Sequence, residues 1–319
     1  MPKPEVTIID IAKALGVSKT TVSSALHGSG RVSESTRKRV KAMADSMGYT
    51  SNRAAQQLRS GRHHAIGLQI PEDLLNFAFY MEFAFGAAEA ASEHDVDLLL
   101  HAKRASRPGH NLAIDGLLVI DPTEETFPTD LAEQQQTPIV AVGAYSGAGA
   151  NHVAAWIEVD HRSLVQEVLA ELKRRGAETP GHVTLSGRPQ PIWMTQVTEG
   201  YAEWCRAQRI KPRIMRASIK PSDLEIAEVL EAAHECDALV WTIQGAATHA
   251  RAVAARRGDH AIQMATMASD PGASNLVGVD LRARQYGQSA ARLLLGALEG
   301  KIEQGSRIMH TAKLVAPES

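Results

Sequence analysis

Two hydrophobic rhythms divide the chain. Up to about residue 50 the apolar positions recur every three or four residues; from Ala65 they come in short blocks separated by longer amphipathic stretches. In the first part Ile8, Ile11, Ala12 and Leu15 mark one helix face, with Thr7 as cap and Asp10 placed for a weak capping box. Gly16 ends that helix, where glycine turns left-handed at little cost. Val17 tucks back, and Ser18 caps a second helix from Lys19 to about Leu26, with Val22, Ala25 and Leu26 inward. After the turn His27-Gly-Ser-Gly, Ser33 caps a third helix from about Glu34 to Met47. There Val40, Met43, Ala44 and Met47 face a core, Arg37, Lys38, Arg39 and Lys41 face water, and Gly48 closes the helix.

The second rhythm predicts strands over 66–70, 97–101, 115–120, 138–143, 182–187, 213–218, 238–243 and 261–266. Between them it predicts helices over 79–94, near Leu131, from 161 to 175, and over 198–208, 223–234 and 247–257. Such alternation builds parallel α/β sheets. Two such units in tandem predict two doubly wound subdomains with a cleft between them, and ligands sit outside the carboxyl ends of strands.

Charge sharpens the division. The net charge of −2 hides a head, residues 1–62, with 11 Lys and Arg against 4 Asp and Glu, leaving 23 basic and 32 acidic residues in the rest. A basic head on an acidic body is the footprint of nucleic-acid binding. Two helices joined by a short glycine turn form a helix-turn-helix, whose second helix enters the major groove with its N-terminal residues leading. Lys19 and Thr20 are the candidates for base edges; Thr21 and Ser23 suit phosphates, and Ser18 is among the leading residues. Thr7, Ser24, Arg31 and Tyr49 complete the candidate contacts of the head, with Tyr49 as well placed to pack as to touch a phosphate.

The strings VTIIDIAKALGVSKTTVS, RVSESTRKRV, MGYTSNRAAQQLRSGR and IGLQIP together resemble the LacI/GalR family of bacterial transcription regulators. The body resembles that family's periplasmic-binding-protein-like core more loosely, through residues 275–300 and the LV-x-x-ES tail. The resemblance implies an all-α helix-turn-helix head plus an α/β periplasmic-binding-protein-like core of two doubly wound parallel-sheet subdomains. It divides the chain into a DNA-binding domain (1–50), a hinge helix and linker (51–62) and an effector-binding and dimerisation core (63–319). Within the core it implies an N-subdomain of about 63–160 and 281–304 and a C-subdomain of about 161–280 and 305–319, with crossovers near 160, 280 and 305. It also implies that Asn52 to Ser60 become helical in the minor groove, where Leu58 of the NRxAxxL pattern wedges between base pairs. Nine residues are too few for a stable isolated helix, so folding can be coupled to binding. Asn52, Ala55, Arg53 and Arg59 join the candidate DNA contacts, Ala55 by its small size and the arginines by charge. Where the family usually carries arginine after TVS, this chain has Ser24, which cannot read guanine bidentately.

The polar residues that hold sugars in the family's cleft are mostly replaced. By motif they fall on Gly143, Val197, Ile243, Gln244 and Ser269. Aromatic residues stand at strand ends instead. The candidate effector contacts are Phe77, Tyr80, Asp121, Tyr145, Trp193, Trp241, Gln244, Ser269 and Asp270, with Phe79 beside them. This set favours a flatter or more apolar ligand than a monosaccharide, or rings that merely fill subdomain interfaces.

The resulting reading is a repressor: a homodimer on a pseudo-palindromic double-stranded DNA operator, modulated by a small-molecule effector, without cofactor, metal or membrane, in the cytoplasm on the nucleoid. Two cysteines without motif spacing, no apolar run of roughly 18 residues and no leader agree with it. An enzyme is disfavoured: no P-loop lysine accompanies GAYSGAGA, and Ser186 is not in a nucleophile elbow. A solute-binding protein and a regulator lacking any effector are the alternatives.

Overall fold

The computed structural model describes residues 6–27, 32–49, 61–71, 74, 77–101, 112–134, 137–187, 189–258, 261–269 and 275–317. The chain forms two compact units, Met1–Arg62 and His63–Ser319.

Among the described residues the head forms α1 (Ile8–Leu15), α2 (Lys19–His27) and α3 (Glu34–Met47). Ile11, Ala12, Val22, Ala25, Val40 and Ala44 form its core, the inward face expected from the spacing. Gly16 and Gly48 close α1 and α3 in the left-handed conformation (φ +65° and +67°). In each case the next residue's N–H folds back, Val17 to Ala12 O at 3.1 Å and Tyr49 to Ala44 O at 2.9 Å.

The body holds two six-stranded sheets. The first is built from β1 (Ala65–Gln69), β2 (Asp97–His101), β3 (Gly116–Ile120), β4 (Ile139–Val142), β5 (Val153–Glu158) and a late strand, β11 (Ser306–Met309), in the order β11-β5-β4-β3-β1-β2. Its helices are α4 (Ala78–Ser92), the short α5 (Thr129–Gln134) and α10 (Ala283–Leu298). The second contains β6 (Pro180–Leu185), β7 (Ile214–Ala217), β8 (Ala238–Trp241), β9 (Gln263–Thr266), β10 (Val277–Asp280) and β12 (Lys313–Val315), in the order β12-β10-β9-β8-β6-β7. Around it lie α6 (His161–Arg174), α7 (Ile192–Gln208), α8 (Asp223–Ala232) and α9 (Ala246–Arg256). Among the described residues every strand pair is parallel except β10 with β12. Central strands such as β1, β3 and β4 are buried along their whole length, which is why they read as unbroken apolar runs.

Three points differ from the sequence expectation, and β10 and β12 are further strands that the pattern did not mark. Val153–Glu158 is a central strand that the pattern did not single out. Helix α7 begins at Ile192, six residues before Thr198, with Pro191 as its N-cap residue. The third crossover lies after Met309, not near 305: β11 pairs with β5 in the first sheet, Ser306 opposite Ala155 through Met309 opposite Glu158. Residues 306–309 therefore belong to the first subdomain, and only β12 returns to the second.

Helices α4 and α10 touch backbone to backbone. A Cβ on Gly86 would lie 1.9 Å from Arg284 O, and one on Gly287 would lie 2.0 Å from Phe83 O. Arg284 pairs with Glu89 and Glu82 along the same contact.

Candidate nucleic-acid interface and ligand cleft

At the head, the Gly16–Ser18 turn sets the start of α2. Ser18 Oγ accepts from the Thr21 N–H at 3.0 Å, satisfying one of the helix's open donors. The same oxygen lies 2.7 Å from Thr20 Oγ1 and 2.8 Å from Thr21 Oγ1, so three hydroxyls cluster at the leading end. Ser18, Lys19 and Thr20 are exposed there, while Thr21, Ser23 and Ser24 are half-buried along the flank. Thr7 is exposed, and its N–H (2.9 Å) and hydroxyl (2.7 Å) both donate to the Asp10 carboxylate, closing the expected capping box and holding that carboxyl below its ordinary range. Tyr49 is half-buried against the head's core. Arg31, Asn52, Arg53, Ala55, Leu58 and Arg59 lie outside the described residues.

In the body a cleft opens between the subdomains, with about 720 Å³ of empty space counting its mouth. The carboxyl ends of strands supply Ile120, Asp121, Val142 and Gly143 on one side, and Leu185, Thr242, Ile243 and Gln244 on the other. The starts of α4, α6 and α7 add Phe77, Phe79, Tyr80, His161, Trp193 and Met194. This is the strand-end position expected of a doubly wound fold.

Asp121 is the cleft's one carboxylate among the described lining residues. It is buried, in a left-handed conformation (φ +48°), and accepts a 2.6 Å hydrogen bond from the Tyr80 hydroxyl. Burial pushes its carboxyl up to about 6, against the opposing pull of hydrogen bonds from Tyr80 and Trp193. The Tyr80 phenol is driven well above its ordinary value by burial first and by Asp121 second. Across the cleft, Gln244 Oε1 accepts from the Phe79 N–H at 3.2 Å and so links the two subdomains. Three buried polar atoms have no protein partner: Gln244 Nε2, Thr242 Oγ1 and His161 Nδ1. Burial lowers His161 to about 4, so the ring is neutral at neutral pH; Trp193 lies against it with centroids 5.0 Å apart. Buried polar atoms are normally paired, so three orphans in one cleft are places a ligand or water would occupy.

The crossovers converge beside this cleft. The His310 ring stacks on Tyr286 at 4.2 Å and 3°. His310 Nε2 lies 2.9 Å from Leu281 O, its backbone N–H donates to Glu158 O, and the Tyr286 hydroxyl donates to Ile157 O at 2.9 Å. Leu281 and Tyr286 also line the cleft. The cleft lining is thereby within one residue layer of the joints between subdomains.

Of the candidate effector contacts, Phe77, Tyr80, Asp121, Trp193 and Gln244 come together. Tyr145, Trp241 and Ser269 do not. The Tyr145 ring stacks on Phe127 at 4.3 Å inside the first subdomain, with its hydroxyl on Ala148 O. Trp241 is fully buried in the second subdomain's core, because strand alternation turns its neighbour Thr242 to the cleft instead. Ser269 is taken up beside β10, its N–H donating to Val279 O. Asp270 lies outside the described residues. His161, Thr242, Leu281 and Tyr286 were not expected. The first follows the Val159-Asp160 crossover directly, and a residue opening a helix at a crossover is a legible cleft candidate.

Residues 7–52 match the model of the family described as bacterial regulatory proteins, lacI family. The chain is 44% identical over 94 residues to the HTH-type transcriptional regulator RafR of Escherichia coli, covering 29% of this chain and 28% of RafR. It is 29% identical over 187 residues to the HTH-type transcriptional regulator AscG of Escherichia coli (strain K12), covering 56% and 55%. The chain thus aligns with about a quarter to a half of the length of these relatives, and the stronger identity falls on the shorter alignment. In structure it is similar to the lac repressor dimer bound to operator and the anti-inducer ONPF (TM-score 0.77, 19% identity, 98% of each chain). It is similar also to the transcriptional regulator CelR–cellobiose complex (TM-score 0.70, 20% identity, 99% and 100%). These likenesses establish the fold: a helical head and a periplasmic-binding-protein-like core of two parallel-sheet subdomains. Among the described residues no helix is long and apolar enough to cross a membrane.

Proposed function

We propose that this chain, whose head belongs to the lacI family of bacterial regulatory proteins, is a sequence-specific DNA-binding transcription regulator acting as a repressor. The carrying observation is the head: a Ser18-capped α2 presenting exposed Lys19 and Thr20 at its leading end, inside the segment that matches the family. A helix entering the major groove by its N-terminus reads bases with those residues. A homodimer would place two such helices on the halves of a pseudo-palindromic operator, with Leu58 of each chain kinking its centre. Phe85 on α4 and Leu99 and Leu100 on the edge strand β2 are exposed large apolar residues on one subdomain, and support pairing of two copies there. The reading assigns the chain no catalysis and places it in the cytoplasm, on the nucleoid.

The cleft is read as the effector site. A ligand that binds one arrangement of the subdomains better than another shifts DNA affinity by that difference. Selection of bound fragments from genomic DNA by the purified full chain tests the first claim: a recurring pseudo-palindrome is expected, and binding without sequence preference would refute it. For the effector, a low-molecular-weight cell extract should change operator affinity in the native chain and not in Trp193→Ala; an equal response in both removes the cleft from the mechanism.

A further inference from the structure

Resting on the reading of the cleft as the effector site, we infer that the effector is a small organic cation: an ammonium group set against Asp121 on an apolar, aryl- or alkyl-sized body. The charge inventory carries the argument. Among the described lining residues there is one carboxylate and neither lysine nor arginine. The two groups that donate to Asp121, the Tyr80 hydroxyl and the Trp193 indole, are both neutral. A carboxylate taken out of water without a counter-charge is unfavourable. A ligand ammonium supplies the charge that the described lining residues do not.

The walls agree with the assignment. Phe77, Phe79, Tyr80, Trp193 and Tyr286 line the same cleft. Aromatic faces attract organic cations, most strongly where water is excluded, and their apolar area suits the body that carries the charge. Gln244 Nε2 is a donor without a partner and accommodates one acceptor atom on that body. A sugar fits less well: beyond Asp121, the lining offers its many hydroxyls only the open polar atoms of Gln244, Thr242 and His161, and Leu185, Met194 and Ile243 offer none. An anion fits worst: it gains no cationic partner and meets the Asp121 charge.

The test holds the body constant and varies the charge. Phenethylamine, phenethyl alcohol and phenylacetate are titrated calorimetrically into the full-length protein, with galactose as the sugar arm. Trp193→Phe, read by fluorescence, locates the binding. The expected order is cation, then neutral, then anion, with the amine at least about tenfold tighter than the alcohol. In Asp121→Asn that preference should collapse to less than about threefold. The order in the native protein needs no variant to fold. Equal or tighter binding of the alcohol, phenylacetate or galactose overturns the cation assignment while keeping an effector cleft. Survival of the amine preference in Asp121→Asn also overturns it. Silence of all four probes overturns it as well, and the effector reading then stands or falls on the extract experiment.

Discussion

The Tyr80 hydroxyl donates to the Asp121 carboxylate at 2.6 Å, inside a cleft whose described lining residues include no lysine or arginine. The folded carboxyl titrates at about 6 against an ordinary 3.8, so the folded chain holds that proton more tightly than the unfolded one. Its stability contribution is full below the ordinary value and is lost as pH rises through about 6, at a cost of up to about 3 kcal/mol at neutral pH. Asp121→Asn removes the charge but offers only one acceptor oxygen to the two donors, so the net gain will be smaller. Denaturant unfolding should show the variant gaining more near pH 8 than near pH 4. A pH-independent difference would mean that the native carboxylate is not strained by burial.

His161 and His182 act with the opposite sign. Burial lowers both to about 4 from an ordinary 6.5; His182 also lies 3.3 Å from Val240 O and 3.2 Å from Thr198 Oγ1. Their unfolded forms bind protons that the folded forms refuse. The stability each confers is present above 6.5 and lost as pH falls toward 4, by up to about 3 kcal/mol per ring. The body should therefore unfold more easily near pH 5 than near pH 7, with Asp121 offsetting part of the loss. His182→Gln should flatten that slope even if it lowers stability at neutral pH. An unchanged slope would assign the acid sensitivity elsewhere.

Much of this arrangement is legible from residues alone, and the limits have physical causes. The head is read nearly to the residue because its helices are amphipathic and bounded by Thr7, Gly16, Ser18, Ser33 and Gly48, each a local signal. Val153–Glu158 escaped because a strand buried on both faces has no alternation, and its short apolar run resembles a loop between elements. The crossover at 310 escaped because β11 is an edge strand with three exposed residues, Arg307 to Met309, whose place is decided by pairing with β5. Trp241 and Thr242 show the cleft's difficulty. A shift of one position along a strand exchanges a core tryptophan for a cleft hydroxyl, and only the folded register decides which of the two faces the cleft.

Gly86 and Gly287 make a sharper mechanical prediction. Replacing an interior helix glycine by alanine ordinarily stabilises by about 1 kcal/mol. Here the added Cβ of either would fall within about 2 Å of a carbonyl oxygen on the opposing helix, Arg284 O or Phe83 O, and backbone must move. Gly86→Ala and Gly287→Ala should each destabilise the body by about 2 kcal/mol or more in denaturant unfolding. Stabilisation by either would show that the two helices do not approach so closely.

Leu58 lies outside the described residues, and its prediction rests on the NRxAxxL pattern. Leu58→Ala should weaken binding to the selected operator by about tenfold or more, because the wedge that permits bending is lost. Binding to random duplex should change little. Equal loss on both would refute a wedge and leave Leu58 as a packing residue.

Ser24 and Lys19 test which face of α2 reads bases. Lys19 is exposed at the leading end, with no acidic residue in the first turn of its helix, whereas Ser24 is half-buried five residues further along. A lysine can donate to guanine O6 and N7; a serine has one hydroxyl and discriminates weakly. Lys19→Ala should therefore relax half-site preference by about 1–3 kcal/mol at one base position, visible as a flattened column in a selection from randomised half-sites. Ser24→Arg should do the converse and create a guanine preference at a position where the native chain has little. If Lys19→Ala instead weakens all sequences alike and lowers the salt dependence of binding, Lys19 is a phosphate contact. Base reading would then pass to Thr20 and the flank of α2.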